Sequence, residues 1–252
     1  LFNKFLIINP SIRTDFVSYE MSSTFGLDDK ISLKKENKTI LNPNLGVQMN
    51  LKPSVSLHAN TGTSFRYAVA NQIAGYFESF TTTNPTRVNV TLGNAELNNE
   101  TSFTWDAGIR FNKPSRGLYL DLTYFKTNVN DRIIITADNA RINTDWTALD
   151  GNVYKIASYR TYANANYSRI SGLELDAHYD IGNLINWKKS LKLIVNGTQM
   201  FEFDDYTKNT DPTKDDTKIK ALHVADLSLG GGFEYDDLKK FSFRLTTRYT
   251  GN

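Results

Sequence analysis

From residue 118 the chain alternates apolar and polar positions without a break. Leu118, Leu120, Leu122 and Tyr124 fall on one face of an extended segment, and Tyr119, Asp121 and Thr123 on the other. A period of two marks a strand with one apolar and one polar face. The same pattern predicts about nine strands, near 5–19, 44–51, 55–62, 102–112, 118–135, 171–181, 191–203, 226–235 and 241–249. The first sets Ile8, Ile12 and Phe16 against Asn9, Ser11, Arg13 and Asp15. The fourth sets Phe103, Trp105, Ala107, Ile109 and Phe111 against Thr104, Asp106, Gly108, Arg110 and Asn112.

The connections alternate in length. Short ones fall near 52–54, 113–117, 182–190 and 236–240. Long ones, all read as loop or irregular chain, fall at 20–43, 63–98, 137–160 and 204–218. Strands as long as a tilted membrane crossing, with short turns at one end and long loops at the other, are the layout of an outer-membrane β-barrel. The polar face carries Asp106, Arg110, Asp121, Glu174, Asp176, Asp180, Arg244 and Arg248. Such charges suit a hydrated lumen or a polar plug, although the wet face of a soluble sandwich has the same look. The expected fold is all-β: antiparallel strands of a transmembrane barrel, with long extracellular loops and short periplasmic turns. On that reading Leu120→Arg is costly, and Asp121→Asn is nearly neutral for folding.

Composition changes this picture little. Hydrophobic residues make up 40% and charged residues 22%, and no run of about 18 apolar residues marks a helical span. A barrel needs none, because only alternate residues meet lipid. With 29 basic and 27 acidic residues the net charge is +2, which argues against a nucleic-acid partner. The 0 Cys exclude disulfides, zinc–thiolate sites and thiol nucleophiles. The 13 Tyr and 15 Phe supply the aromatic girdles that membrane barrels carry. No basic, then apolar leader precedes the first strand, so the chain reads as a mature fragment.

Three stretches carry a resemblance. The hairpin 94–135 fits a family pattern through Asn94, Leu97, Glu100, Thr101, Gly108, Tyr124, Asp131 and Ile133, with Asp106 where Glu is usual. The strand 162–179 fits through Tyr162, Asn166, Gly172, Glu174 and Leu175. The segment 43–76 looks like the hairpin and loop that come before. In this order and spacing they resemble TonB-dependent outer-membrane receptors. The resemblance implies a barrel of about 22 strands closed by a plug. Residues 1–252 then form a middle-to-late part of that barrel, with the plug, its TonB box and the terminal strands not present. It also implies import without bond chemistry in the outer membrane of a Gram-negative bacterium. The expected partners are outer-membrane lipid, the TonB–ExbB–ExbD complex acting through the absent plug, and an extracellular small ligand such as an iron chelate. No cofactor is implied.

No catalytic or metal-ligating constellation stands out. His58, His178 and His223 lie on different strands or strand starts. The acidic pairs at 28–29, 204–205, 215–216 and 236–237 lack the spaced oxygens that a hard cation needs. The Gly run 230–232 reads as close packing or a bulge inside a strand. Candidate ligand residues are aromatics and arginines of the long loops: Phe65, Arg66, Tyr67 and Tyr76 from one, and Arg141, Trp146, Tyr154, Tyr159 and Arg160 from another. Stacking and charge pairing by such groups suit an iron–siderophore complex, haem, cobalamin or an oligosaccharide. The competing explanation is that they pack the loops against each other. A passive porin and a soluble β-sandwich adhesin are the alternative functions.

Overall fold

The computed structural model describes residues 5–21, 34–81, 83–185, 187–209, 213–220 and 224–251. His223 and the pair Asp28-Asp29 lie outside them. Nine antiparallel strands form a continuous wall: β1 (Leu6–Glu20), β2 (Lys35–Lys52), β3 (Val55–Arg66), β6 (Glu100–Lys113), β7 (Leu118–Ala137), β9 (Val153–Asp180), β10 (Ser190–Thr207), β12 (Leu227–Asp236) and β13 (Ser242–Gly251), in that order across the sheet. These are the nine expected strands. Four shorter strands lie off this path: β4 (Tyr76–Phe80), β5 (Arg87–Leu92), β8 (Asp145–Thr147) and β11 (Thr217–Lys220). Two short helices, α1 (Ala70–Ala74) and α2 (Ile181–Leu184), sit in connections.

The long connections hold more structure than expected. β2 starts at Lys35 and β9 at Val153, so parts of 20–43 and 137–160 are strand. The cause lies in the pairing: Phe16 opposite Thr39 and Glu20 opposite Lys35 continue the backbone ladder beyond the apolar stripe. There both faces are polar, and the alternation that marks a strand is lost. The stretch 63–98 holds α1 and the β4–β5 hairpin. β5 then pairs with β9 in parallel, an exception in an otherwise antiparallel sheet. The short turns are as expected. Between β6 and β7, Gly117 takes φ +62° and donates its N–H to the Pro114 carbonyl, a left-handed closure that glycine makes without steric cost.

The wall is apolar outside and polar inside. Ile8, Ile12 and Phe16 of β1 are 56%, 65% and 79% exposed, whereas the wall's buried polar groups include Asn42 of β2, Ser56 of β3 and Asp121 of β7. On β2 the outward stripe runs from Leu41 to Leu51 and on β10 from Leu191 to Phe201. Ten residue steps make about 33 Å of strand, which a tilt of 35–45° turns into about 25 Å of height, the apolar band of a membrane barrel. Aromatic rings edge the band. Trp105, Tyr124 and Phe201 are in contact toward the long loops, with centroids 5.4 and 6.3 Å apart. Toward the short turns, Trp187, Tyr235 and Phe241 pack at 5.9 and 6.2 Å.

Candidate functional site

Two regions gather groups that can contact a ligand: the inner face of the wall and the long-loop end. On the inner face a trough of about 870 Å³ is lined by His58, Arg110, Asp121, Glu174, Asp176 and Arg248 among others. Strand register builds it, since His58 lies opposite Gly108 and Gly108 opposite Thr123. A Cβ on Gly108 would come within 2.5 Å of both His58 Nε2 and Thr123 Oγ1, so glycine makes room for the two side chains to meet. Asp121 is their common partner. It accepts from Arg110 Nε at 2.6 Å and from Thr123 Oγ1 at 2.8 Å, and lies 3.1 Å from His58 Nε2. A buried carboxylate with this many partners organises the surface around it. The expectation that Asp121→Asn is nearly neutral is therefore corrected: the change would weaken a bonded hub. His178, also on the inner face, stacks on Tyr119 at 4.9 Å.

The long-loop end holds a second core. In β5, Val88, Val90 and Leu92 alternate with polar residues, and here the apolar face is the buried one. They pack with Ile156 and Tyr159 of β9, against Tyr76, Trp146 and Tyr154. The β5–β9 register skips Ala157, and this bulge lets Ile156 and Tyr159, three residues apart, enter the same core. Glu78 fastens the pieces. It accepts from Tyr76 OH at 2.5 Å, from Trp146 Nε1 at 3.2 Å and from the Leu149 amide at 2.8 Å. Tyr154 donates to Asp150 at 2.7 Å. That bond is the main reason the Asp150 carboxyl is held below its ordinary range and the Tyr154 hydroxyl above its own.

The proposed ligand residues thus fall into two groups. Tyr76, Arg141, Trp146, Tyr154 and Tyr159 come together in the outer module. Tyr76 stacks on Trp146 at 6.4 Å, Trp146 meets Tyr159 edge-on at 6.3 Å, and the Arg141 guanidinium lies 4.7 Å over the Tyr159 ring. Arg160 is exposed on β9 where that strand leaves the module. Phe65, Arg66 and Tyr67 lie at the upper end of β3 instead. Phe65 packs edge-on against Tyr67 at 4.7 Å, with Arg13 5.8 Å over its ring. Arg66 grips Glu100 through two bonds of 2.9 and 2.6 Å. Reading the sequence missed Glu78 and Asp150; the signal available for the module was the alternation of Arg87–Leu92, short and set between turn residues. Among the described residues no three His, Asp or Glu side chains converge as a metal site.

The residues that carried the family resemblance have structural tasks. Glu100 accepts from Arg66 and from the Ile133 amide at 2.9 Å, tying β3, β6 and β7 together. Asn94 donates to the Tyr162 carbonyl at 2.9 Å. Leu97 and Ile133 form a small core with Ala68, against Ile73 and Tyr162. Asp131, at φ +55°, offers its carbonyl to Asn164 at 2.7 Å. The pattern pins the 67–99 connection onto the top of the wall.

The sequence matches a family profile described as "TonB dependent receptor-like, beta-barrel" over residues 2–252. No curated protein matches it. Among solved structures it is similar to the siderophore receptor PirA from Acinetobacter baumannii, at 19% identity over 86% of this chain and 30% of that one, with a TM-score of 0.60. A mutant of the ferric enterobactin receptor PfeA from Pseudomonas aeruginosa aligns at 18% identity over 86% of this chain and 29% of that one, with a TM-score of 0.62. A double mutant of the Serratia marcescens hemophore receptor HasR, in complex with its hemophore and heme, aligns at 16% identity over 98% and 40%, with a TM-score of 0.57. This chain therefore spans well under half the length of the structures it matches, and at these identities the likeness shows the fold. With the family profile covering nearly every residue, the chain belongs to the TonB-dependent receptor β-barrel family, a family of transport receptors.

Proposed function

We propose that this chain is a wall segment of an outer-membrane receptor of a Gram-negative bacterium that takes up an iron chelate, a siderophore complex or haem, without catalysing bond chemistry. A plug domain elsewhere in the receptor would connect it to the TonB–ExbB–ExbD complex. The observation that carries the reading is the folded outer module, a packed aromatic platform at the long-loop end with Arg141 laid across Tyr159. The receptors PirA, PfeA and HasR, whose named ligands are siderophores or heme, support the choice of chelate. Tyr76, Trp146, Tyr154 and Tyr159 hold the platform, while Arg141 and Arg160 present cationic heads to an anionic chelate. The pairing of Arg66 with Glu100 and the packing of Phe65 with Tyr67 give that second group a supporting part.

The test is growth of a strain lacking the receptor on single defined iron sources, with and without TonB. Growth on one ferric siderophore or on haem should fail and return with the wild-type gene. Arg141→Ala with Arg160→Ala should weaken binding of that chelate roughly tenfold, the scale of a lost charge-assisted contact. Unimpaired growth on every iron source, or uptake that persists without TonB, contradicts the proposal.

A further inference from the structure

The short-turn rim uses its charges differently from the rest of the molecule. Each of the four short turns carries basic residues: Lys52, then Lys113 and Arg116, then Lys188 and Lys189, then Lys239 and Lys240. Ion pairs among the described residues lie elsewhere. At the long-loop end they include Arg66–Glu100, Lys155–Asp145 and Lys218–Asp204, and on the inner face Arg110–Asp121 and Lys192–Glu234. None of them involves these seven cations.

The carboxylates in the same turns are engaged mainly by local amides. Asp180 accepts from the amides of Gly182 and Leu191, at 2.9 and 3.0 Å, and from Ser190 Oγ at 2.7 Å. Asp236 accepts from the Leu238 amide at 2.6 Å. Asp237 accepts from the amides of Lys239, Lys240 and Phe241 at 2.9, 2.9 and 3.0 Å. Seven cations against three carboxylates leave the turns with an excess of positive charge.

Their height fixes what they can meet. Lys189 Nζ stands 5.6 Å from the Trp187 ring and 5.5 Å from Tyr235, within the aromatic edge of the apolar band. Aromatic belts mark the headgroup level, and long basic side chains reach that level while their stems cover apolar surface. Clustered lysines beside a bilayer attract acidic lipids. From the excess of basic side chains on these turns and their continuity with the lipid-facing band, we propose that the short-turn rim binds the phosphodiester headgroups of acidic phospholipids in the adjacent leaflet. This rests on the reading of the wall as a membrane barrel.

The experiment uses the whole receptor that carries this chain, inserted into vesicles of phosphatidylethanolamine containing a minority of phosphatidylglycerol. The receptor is extracted with detergent, and the lipid that stays bound is assayed by class. Wild type should retain phosphatidylglycerol enriched about fivefold over the bulk mixture, the scale expected for one basic side chain at a bilayer surface. Enrichment should fall toward the bulk ratio in the variant Lys113→Gln, Lys189→Gln, Lys239→Gln, Lys240→Gln, and also in high salt. Lys155→Gln, at the other end, should leave it unchanged. A wild type with lipids in bulk proportion, or a four-site variant that keeps the enrichment, overturns the inference alone. So does enrichment abolished by free inorganic phosphate, which would mean a soluble anion is the ligand. A receptor that enters neither these vesicles nor neutral ones overturns the barrel reading itself.

Discussion

In β5, Val88, Val90 and Leu92 are 0–7% exposed, whereas in β1, Ile8, Ile12 and Phe16 are 56–79% exposed, although both strands alternate apolar with polar residues. The two regions bury opposite faces. In the outer module the apolar face closes on Ile156 and Tyr159, and water lies outside, as in any small soluble sheet. In the wall the buried groups include Asn42, Asp121 and Ser168, bonded across strands to Asp15, to Arg110 and to Asp205 respectively, and the apolar side is the outer one. Alternation therefore tells that a strand has two environments, and its context tells which is wet. Here the context is length: strands that carry ten residue steps of apolar stripe cross a bilayer, and a strand of 6 residues cannot.

The contrast can be broken by substitution. The largest effect is expected for Ile156→Ala, which leaves a cavity in the module and should cost it about 2–5 kcal/mol. Faster proteolysis of the 138–152 connection would report the loss, with the barrel's heat-resistant gel mobility retained. Ile12→Ala, the same chemical change on the lipid face, should cost only about 1 kcal/mol, because lipid chains fill the space and only the transfer term is lost. Equal costs at the two sites would contradict the assignment of faces.

Leu120→Arg places a charge on the lipid side and should cost roughly 2–4 kcal/mol in refolding into vesicles. The same substitution at an aqueous face would be nearly silent. A smaller effect is expected for Asp121→Asn. The amide keeps the shape but gives up the charge that Arg110 and Thr123 bond to, a loss of about 1.5–3 kcal/mol at most. Urea refolding of this variant, compared with Asp106→Asn, sharpens the claim that Asp121 is a hub, since among the described residues Asp106 accepts a single side-chain bond, from Asn60.

Much of the wall is legible in the sequence. The nine strands, their faces, the alternation of turn lengths and the family all follow from local pattern, because each depends on residues within one hairpin. The outer ends of β2 and β9 were not legible. Above the apolar band, Glu36, Asn37, Lys38 and Thr39 put polar groups on both faces, and the ladder continues on backbone bonds that leave no trace in composition. The module was hidden for a different reason. Its core depends on the parallel pairing of Val88 with Ile156, 68 positions away, and on a bulge that takes Ile156 and Tyr159 out of period two. Arginines and aromatics of the long loops stood out by type. That Arg141 meets Tyr159 while Arg66 is held by Glu100 depended on contacts that no local pattern carries.

The central claim is that the wall faces lipid with its apolar residues and water with its polar ones. The chain has 0 Cys, so single cysteines can be placed along β1, β7 and β10 in the membrane-inserted receptor and labelled with a fluorophore. Labels at Ile8, Ile12, Leu120, Leu122, Leu193 and Val195 should be quenched by a lipid-borne nitroxide and spared by an aqueous quencher. Labels at Asn9, Ser11, Tyr119, Asp121, Ile194 and Asn196 should be spared by the lipid-borne quencher. A two-residue period in quenching through all three strands is the predicted result, and uniform access of the aqueous quencher to both sets would contradict it.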